Sequence, residues 1–249
     1  MDLILLVQDA PEVLLTGTVL RLVQQQGIDT LGPLVDDLDQ LARLEALVET
    51  SKPPLHSFPT SASSHPLLTT PFRYPPLRHG SRFGGRESRG MFYGSRSRAG
   101  SLVEGAYYAL LFWEGMQQPP PTSIRRRQTL FSVLIDTSHG LQLQTLADDT
   151  AQSTLQDPRQ YGPSQRLGQW MREAGIEAFE YLSARSREPL LQVGLFTPSA
   201  MTSTPFDQVE ITCEINSDHA SFLSHDDGMV HRFSRELFLV DGELPQAAA

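Results

Sequence analysis

Leu34, Leu38, Leu41, Leu44, Leu47 and Val48 recur at helical spacing and predict an amphipathic helix over 34–50. Asp36, Asp37 and Asp39 stand near its start, where the helix dipole favours acids. A second stripe, Leu102, Ala106, Ala109, Leu110 and Trp113, predicts the strongest helix of the chain over 101–116. The prolines of QQPPPTS (117–123) stop it. Pro163 opens a third helix over 163–174. Apolar alternation predicts strands at 13–23, with a turn at Gly17, and at 91–95, 129–136, 176–183 and 190–196. The last two are spaced as a β-hairpin. Three more β-like segments follow near 207–215, 229–234 and 236–241. Residues 51–71, rich in Pro, Ser, Thr and His, read as an exposed connection, and 141–161 as irregular chain.

At 249 residues, one large domain is favoured over two small ones. The single cysteine, Cys213, excludes an internal disulfide framework and a cysteine-based zinc site, and fits a reducing cytoplasm. No run approaches the roughly eighteen apolar residues of a membrane span. Asp2 stands where a secretion signal carries basic residues, so no membrane or export role is expected. The net charge of −9, without basic runs at the ends, argues against general nucleic-acid binding. His56, His65 and His79 are irregularly spaced and lack a partner cysteine, so no metal is expected.

Against that acidic total, residues 69–113 reverse the sign. Arg73, Arg78, Arg82, Arg86, Arg89, Arg96 and Arg98 face one acid, Glu87, before the helix begins. Glycines at 80, 84, 85, 90 and 94 let backbone approach a ligand closely. Arg82, Tyr93 and Glu104 stand eleven residues apart, running from loop through strand to helix. A basic loop leading to one carboxylate suggests a pocket for an anionic ligand that carries a bond to be broken. Locally, Glu104 has a second explanation: Ser101-Leu-Val-Glu104 has the form of a capping box, in which the Glu returns to the cap's own N–H. Arg125, Arg126 and Arg127 read as a solvated approach to a strand. Neither a G-x-S-x-G elbow nor a Walker-type phosphate loop is present.

Four stretches in order, FRYPPLRHGSRF (72–83), RGMFYGS (89–95), SLVEGAYYALLFW (101–113) and YLSARSREPLLQVGLF (181–196), resemble the RES domain, a bacterial family named for its Arg, Glu and Ser. The resemblance implies an α+β fold: a mixed or antiparallel β core with flanking helices, similar to ADP-ribosyltransferases. It covers about 70–200, leaving 1–70 as a strand, helix and linker extension and 201–249 as a C-terminal β extension. The family is described as the toxins of toxin–antitoxin pairs that attack NAD⁺, with an Xre-type helix-turn-helix antitoxin as partner. NAD⁺ is then the substrate, without a metal. Arg82, Glu104 and Ser183 match the catalytic positions, and Arg73, Arg82, Tyr93 and Ser183 those that hold the dinucleotide. Arg73 is the choice for the first family arginine, with Arg21 as competitor. The asparagine that members often carry beyond the serine is missing from REPLLQVGLF. The acceptor stays open among water, phosphate and a protein side chain, which would make a glycohydrolase, a phosphorylase or an ADP-ribosyltransferase. A catalytically weak RES-like interaction module and an RNA-cleaving toxin are the competing classes.

Overall fold

The computed structural model describes residues 3–25, 34–52, 65–73 and 80–246. His56, Arg78 and His79 lie outside them. Eight strands form one mixed sheet: β1 (Val13–Gln24), β2 (Phe92–Ser95), β3 (Ile124–Gln142), β4 (Ala178–Leu182), β5 (Leu191–Leu195), β6 (Phe206–Ile215), β7 (His219–Ser224) and β8 (Val230–Ser234). The helices are α1 (Leu3–Val7), α2 (Leu38–Ser51), α3 (Pro66–Arg73), α4 (Arg98–Glu114), α5 (Asp149–Leu155) and α6 (Gly162–Glu173). The fold is α+β.

β3 organises the sheet. Its side chains alternate, so Phe131, Val133 and Ile135 enter one apolar core while Leu130 enters another. One edge of β3 carries β1 from Gln128 to Gly140. The other carries β6 antiparallel along its first half and β4 parallel at its end, Gly140 to Gln142. β4 pairs with β5, β5 with β2, and β2 returns to β1 through Leu20↔Ser95. Five strands therefore close a ring, and β6, β7 and β8 extend from it as an antiparallel wing.

Helix α4 lies against this wing, with Leu102, Ala106 and Leu110 packed among Ile211, Phe222, Phe238 and Leu244. It is fastened along its length. Arg98 pairs with Asp226 at 2.5 Å and Asp227 at 2.9 Å, and Arg235 reaches Glu114 at 3.1 Å. Midway, the Tyr107 hydroxyl donates to the carbonyl of Pro245.

Several expectations change. No turn occurs at Gly17: β1 runs straight through it, at a φ of +100°, because β3 is long enough to pair on both sides. The strand expected at 129–136 spans Ile124–Gln142 and absorbs all three of Arg125, Arg126 and Arg127. The end of 51–71 enters a helix, Pro66–Arg73, in which Leu68 and Phe72, one turn apart, are buried. The irregular region holds the end of β3 and α5, which is capped by the Asp148 carboxylate accepting from Ala151 N. A strand at His219–Ser224 was hidden by its polar Ser and His positions, although Ala220 and Phe222 are buried. Around 236–241 the chain forms a short 3-10 turn, Arg235–Phe238, in place of a strand. In α2 only Leu41 of the leucine stripe is buried.

Candidate active site

A cavity of about 420 Å³ opens between α4, the ends of β1, β4 and β5, and the loop that follows residue 80. Its size suits a small-molecule ligand. Its wall holds four arginines, Arg21, Arg82, Arg126 and Arg185, and, among the described residues, one carboxylate, Glu104.

Glu104 sits in the second turn of α4. The helix starts three residues earlier than its apolar stripe implies, and Ser97 is the cap, accepting from Gly100 N. Ser101 is thereby inside the helix, where its hydroxyl donates to Leu20 O at 3.2 Å. The capping-box alternative for Glu104 is overturned. Its carboxylate instead accepts from Ser183 Oγ at 2.6 Å. Ser183 is 1% exposed, and its Oγ also accepts from Arg185 N at 3.0 Å, which fixes the direction of its proton.

The arginines are held by rings and carbonyls. Arg82 donates through Nη1 to Leu155 O and Asp157 O, both at 2.9 Å, and lies 4.5 Å over the Tyr161 ring. Its Nη2 is buried with no partner. Arg185 donates to Pro158 O at 3.1 Å and Tyr161 Oη at 2.5 Å, and stacks 3.6 Å over Tyr107. Arg126 bonds Gln24 and covers Phe112 at 4.3 Å. Arg21 lies 4.5 Å over Phe92; its Nη1 is buried without a partner, and burial pushes its pKa down to about 10. No carboxylate of the described residues lies within ion-pair distance of any of the four.

Tyr93 fastens the loop beside Arg82. Its hydroxyl donates to Ser81 Oγ at 2.9 Å and accepts from Phe83 N at 3.0 Å. Burial pushes that phenol up to about 12. From the other side Gly168 of α6 packs so closely that a Cβ there would stand 1.9 Å from Phe83 O.

Arg82, Tyr93 and Glu104 line this cavity, and Ser183 is bonded to Glu104 at its edge. Arg73 does not join them. It ends α3 and pairs with Glu49 of α2 at 2.6 Å, and Arg21 lines the cavity in its stead. The basic stretch also divides. Arg96 pairs with Glu180 at 2.7 Å, Arg98 with the two aspartates, and Arg86 and Arg89 line a separate cleft beside Arg172. Three cavity arginines were missed as site residues or left unresolved. Arg185 was in view two positions after Ser183, whereas Arg21 and Arg126 come from strands remote in sequence. Tyr108, Tyr161 and Tyr181 carried no local signal.

The sequence model of the RES domain family matches residues 57–214. The chain belongs to the RES domain family. Arg82, Tyr93, Glu104 and Ser183 all fall inside the matched stretch; Arg21 lies before it, so this RES domain draws part of its cavity from outside the match. No curated protein matches the chain. Among the described residues no group of three or more His, Cys, Asp or Glu is placed to hold a metal ion. No helix among them is long and apolar enough to cross a membrane.

Proposed function

We propose that this RES domain binds NAD⁺ in the cavity and breaks its nicotinamide–ribose bond, as the toxin of a toxin–antitoxin pair acting in the cytoplasm. One observation carries the reading. Four guanidiniums, each laid on an aromatic ring and none neutralised by a carboxylate, share a cavity with a single glutamate. Like charges gathered at such a cost suit a ligand that brings its own negative charge, and a planar guanidinium grips phosphate through paired, charge-assisted bonds. The buried, unpartnered Nη1 of Arg21 and Nη2 of Arg82 are donors available to a pyrophosphate.

Nicotinamide leaves as a neutral molecule, taking the electron pair of the C–N bond, so no general acid is required. What accumulates is positive charge on the ribose. Glu104 is the group that can steady it, as carboxylates do for the oxocarbenium ions of glycosidases. Its Oε1 is occupied by Ser183, which holds the side chain in one orientation. The cation is then captured by water, phosphate or a protein nucleophile; these acceptors distinguish a glycohydrolase, a phosphorylase and an ADP-ribosyltransferase. The proposed partner is an antitoxin with an Xre-type helix-turn-helix domain, on the strength of family membership alone.

Incubating the purified protein with NAD⁺, with and without inorganic phosphate, and identifying products by mass tests this reading. Release of nicotinamide that is lost in Glu104→Gln supports it. Folded wild-type protein that neither binds nor consumes NAD⁺ overturns it.

A further inference from the structure

The rings around the cavity are already covered, with one exception. Arg82 lies on Tyr161, Arg185 on Tyr107, Arg126 on Phe112 and Arg21 on Phe92. Tyr181 is 6% exposed and packed between Phe83, at 4.8 Å, and Phe179, at 5.7 Å. The partly buried Tyr93 ring packs against an apolar core, and its hydroxyl is tied to the loop beside it. Tyr108 differs. It lines the cavity yet is 56% exposed, and among the described residues its one ring contact is the T-shaped one with Tyr107 at 5.0 Å.

Tyr108 stands four residues after Glu104 on α4, and residues so spaced are neighbours on one helix face. Charge narrows the choice of occupant. Beside four arginines a cationic ring is repelled from most of the wall. The surfaces left to it are the Glu104 carboxylate and the ring of Tyr108, and an aromatic π-face attracts cations through its quadrupole. We infer that Tyr108 is the platform for the nicotinamide ring of the intact dinucleotide, and that it favours the oxidised, cationic form over the reduced, neutral one. This placement rests on the NAD⁺ reading above. When the C–N bond breaks, its electron pair passes to the ring nitrogen and the positive charge to the ribose. The attraction to Tyr108 then fades, which eases departure of the neutral product.

The test compares wild type, Tyr108→Ala and Tyr108→Phe in NAD⁺ turnover, with NADH as competitive inhibitor. A cation–π contact of ordinary strength predicts that Tyr108→Ala raises KM for NAD⁺ about tenfold, with the loss in KM rather than kcat. The inhibition constant of NADH shifts by less than about threefold, since a neutral ring forgoes the same attraction. Tyr108→Phe, which keeps the ring, restores the wild-type KM. Should the alanine variant not fold, Tyr108→Leu takes its place with the same expected result. Wild-type turnover with an unchanged KM in the variant overturns the inference alone, as does a parallel rise for NAD⁺ and NADH. Wild-type protein inert toward NAD⁺ overturns the substrate reading, and this placement falls with it.

Discussion

Ser183 Oγ donates to Glu104 Oε1 across 2.6 Å and so joins the end of β4 to the second turn of α4, residues 79 apart in the chain. A hydrogen bond to a charged group is worth about 1.5–3 kcal/mol. Ser183→Ala leaves the carboxylate free to turn and Arg185 N without its acceptor, so turnover should fall about ten- to a hundredfold and the melting temperature should drop by a few degrees. Glu104→Gln removes the charge itself and should cost on the order of 10²–10³ in rate. Nicotinamide release under saturating NAD⁺ separates the two.

Arg21 and Arg73 make a decisive pair, because the sequence left the choice between them open. Arg21→Met keeps an unbranched side chain beside Phe92 but removes the guanidinium that lies over its ring, and with it a buried donor in the cavity. NAD⁺ affinity should weaken about tenfold or more. Arg73→Met gives up the pair with Glu49, outside the cavity, and should leave affinity as it is. Calorimetric titration of both variants checks this.

Helix α6 touches the backbone of the Arg82 loop at Gly168, one turn after Gln165, whose side chain donates to Ser81 O at 3.0 Å. With 1.9 Å between a Cβ and Phe83 O, Gly168→Ala must push that loop away. Overpacking of this kind costs about 1–3 kcal/mol. The melting temperature should drop, and NAD⁺ affinity should drop with it because Arg82 is carried on the displaced segment. An unchanged affinity in a destabilised variant would separate the loop from binding.

Alkaline pH should loosen the fold. Burial pushes the phenols of Tyr93 and Tyr107 up from 10 to about 12 and the Cys213 thiol up from 9 to about 12. Below pH 9 all three keep their protons whether the chain is folded or not. As pH rises further only the unfolded chain releases them, so stability falls steadily until about pH 12. Tyr93→Phe, which has no phenol to titrate, should show a shallower decline in denaturant midpoint across that window.

What the sequence displayed well was what repeats over a few residues. The apolar stripe of α4, the hairpin of β4 and β5, and the even spacing of Arg82, Tyr93 and Glu104 could be read locally, whereas Ser183 came into view only through the resemblance to the RES domain. Charge density misled, because a run of arginines does not say where each side chain goes. Arg96 and Arg98 satisfy acids from β4 and the β7–β8 turn, whereas Arg21 and Arg126 reach the cavity from long strands whose pairing is set by distant chain. The capping box at Ser101 was a true local pattern overridden by one three residues upstream, where Ser97 takes the cap.

The family match stops at residue 214, one position short of the end of β6. Beyond it lie Phe222, Phe238 and Leu244, which form the floor of α4, and Pro245, which receives the Tyr107 hydroxyl. A protein shortened to its recognisable part would retain all four motif residues and still strip the glutamate's helix of much of the packing beneath it. The motif marks where the chemistry is written; the support that keeps it in place extends past the point where the family ceases to be visible.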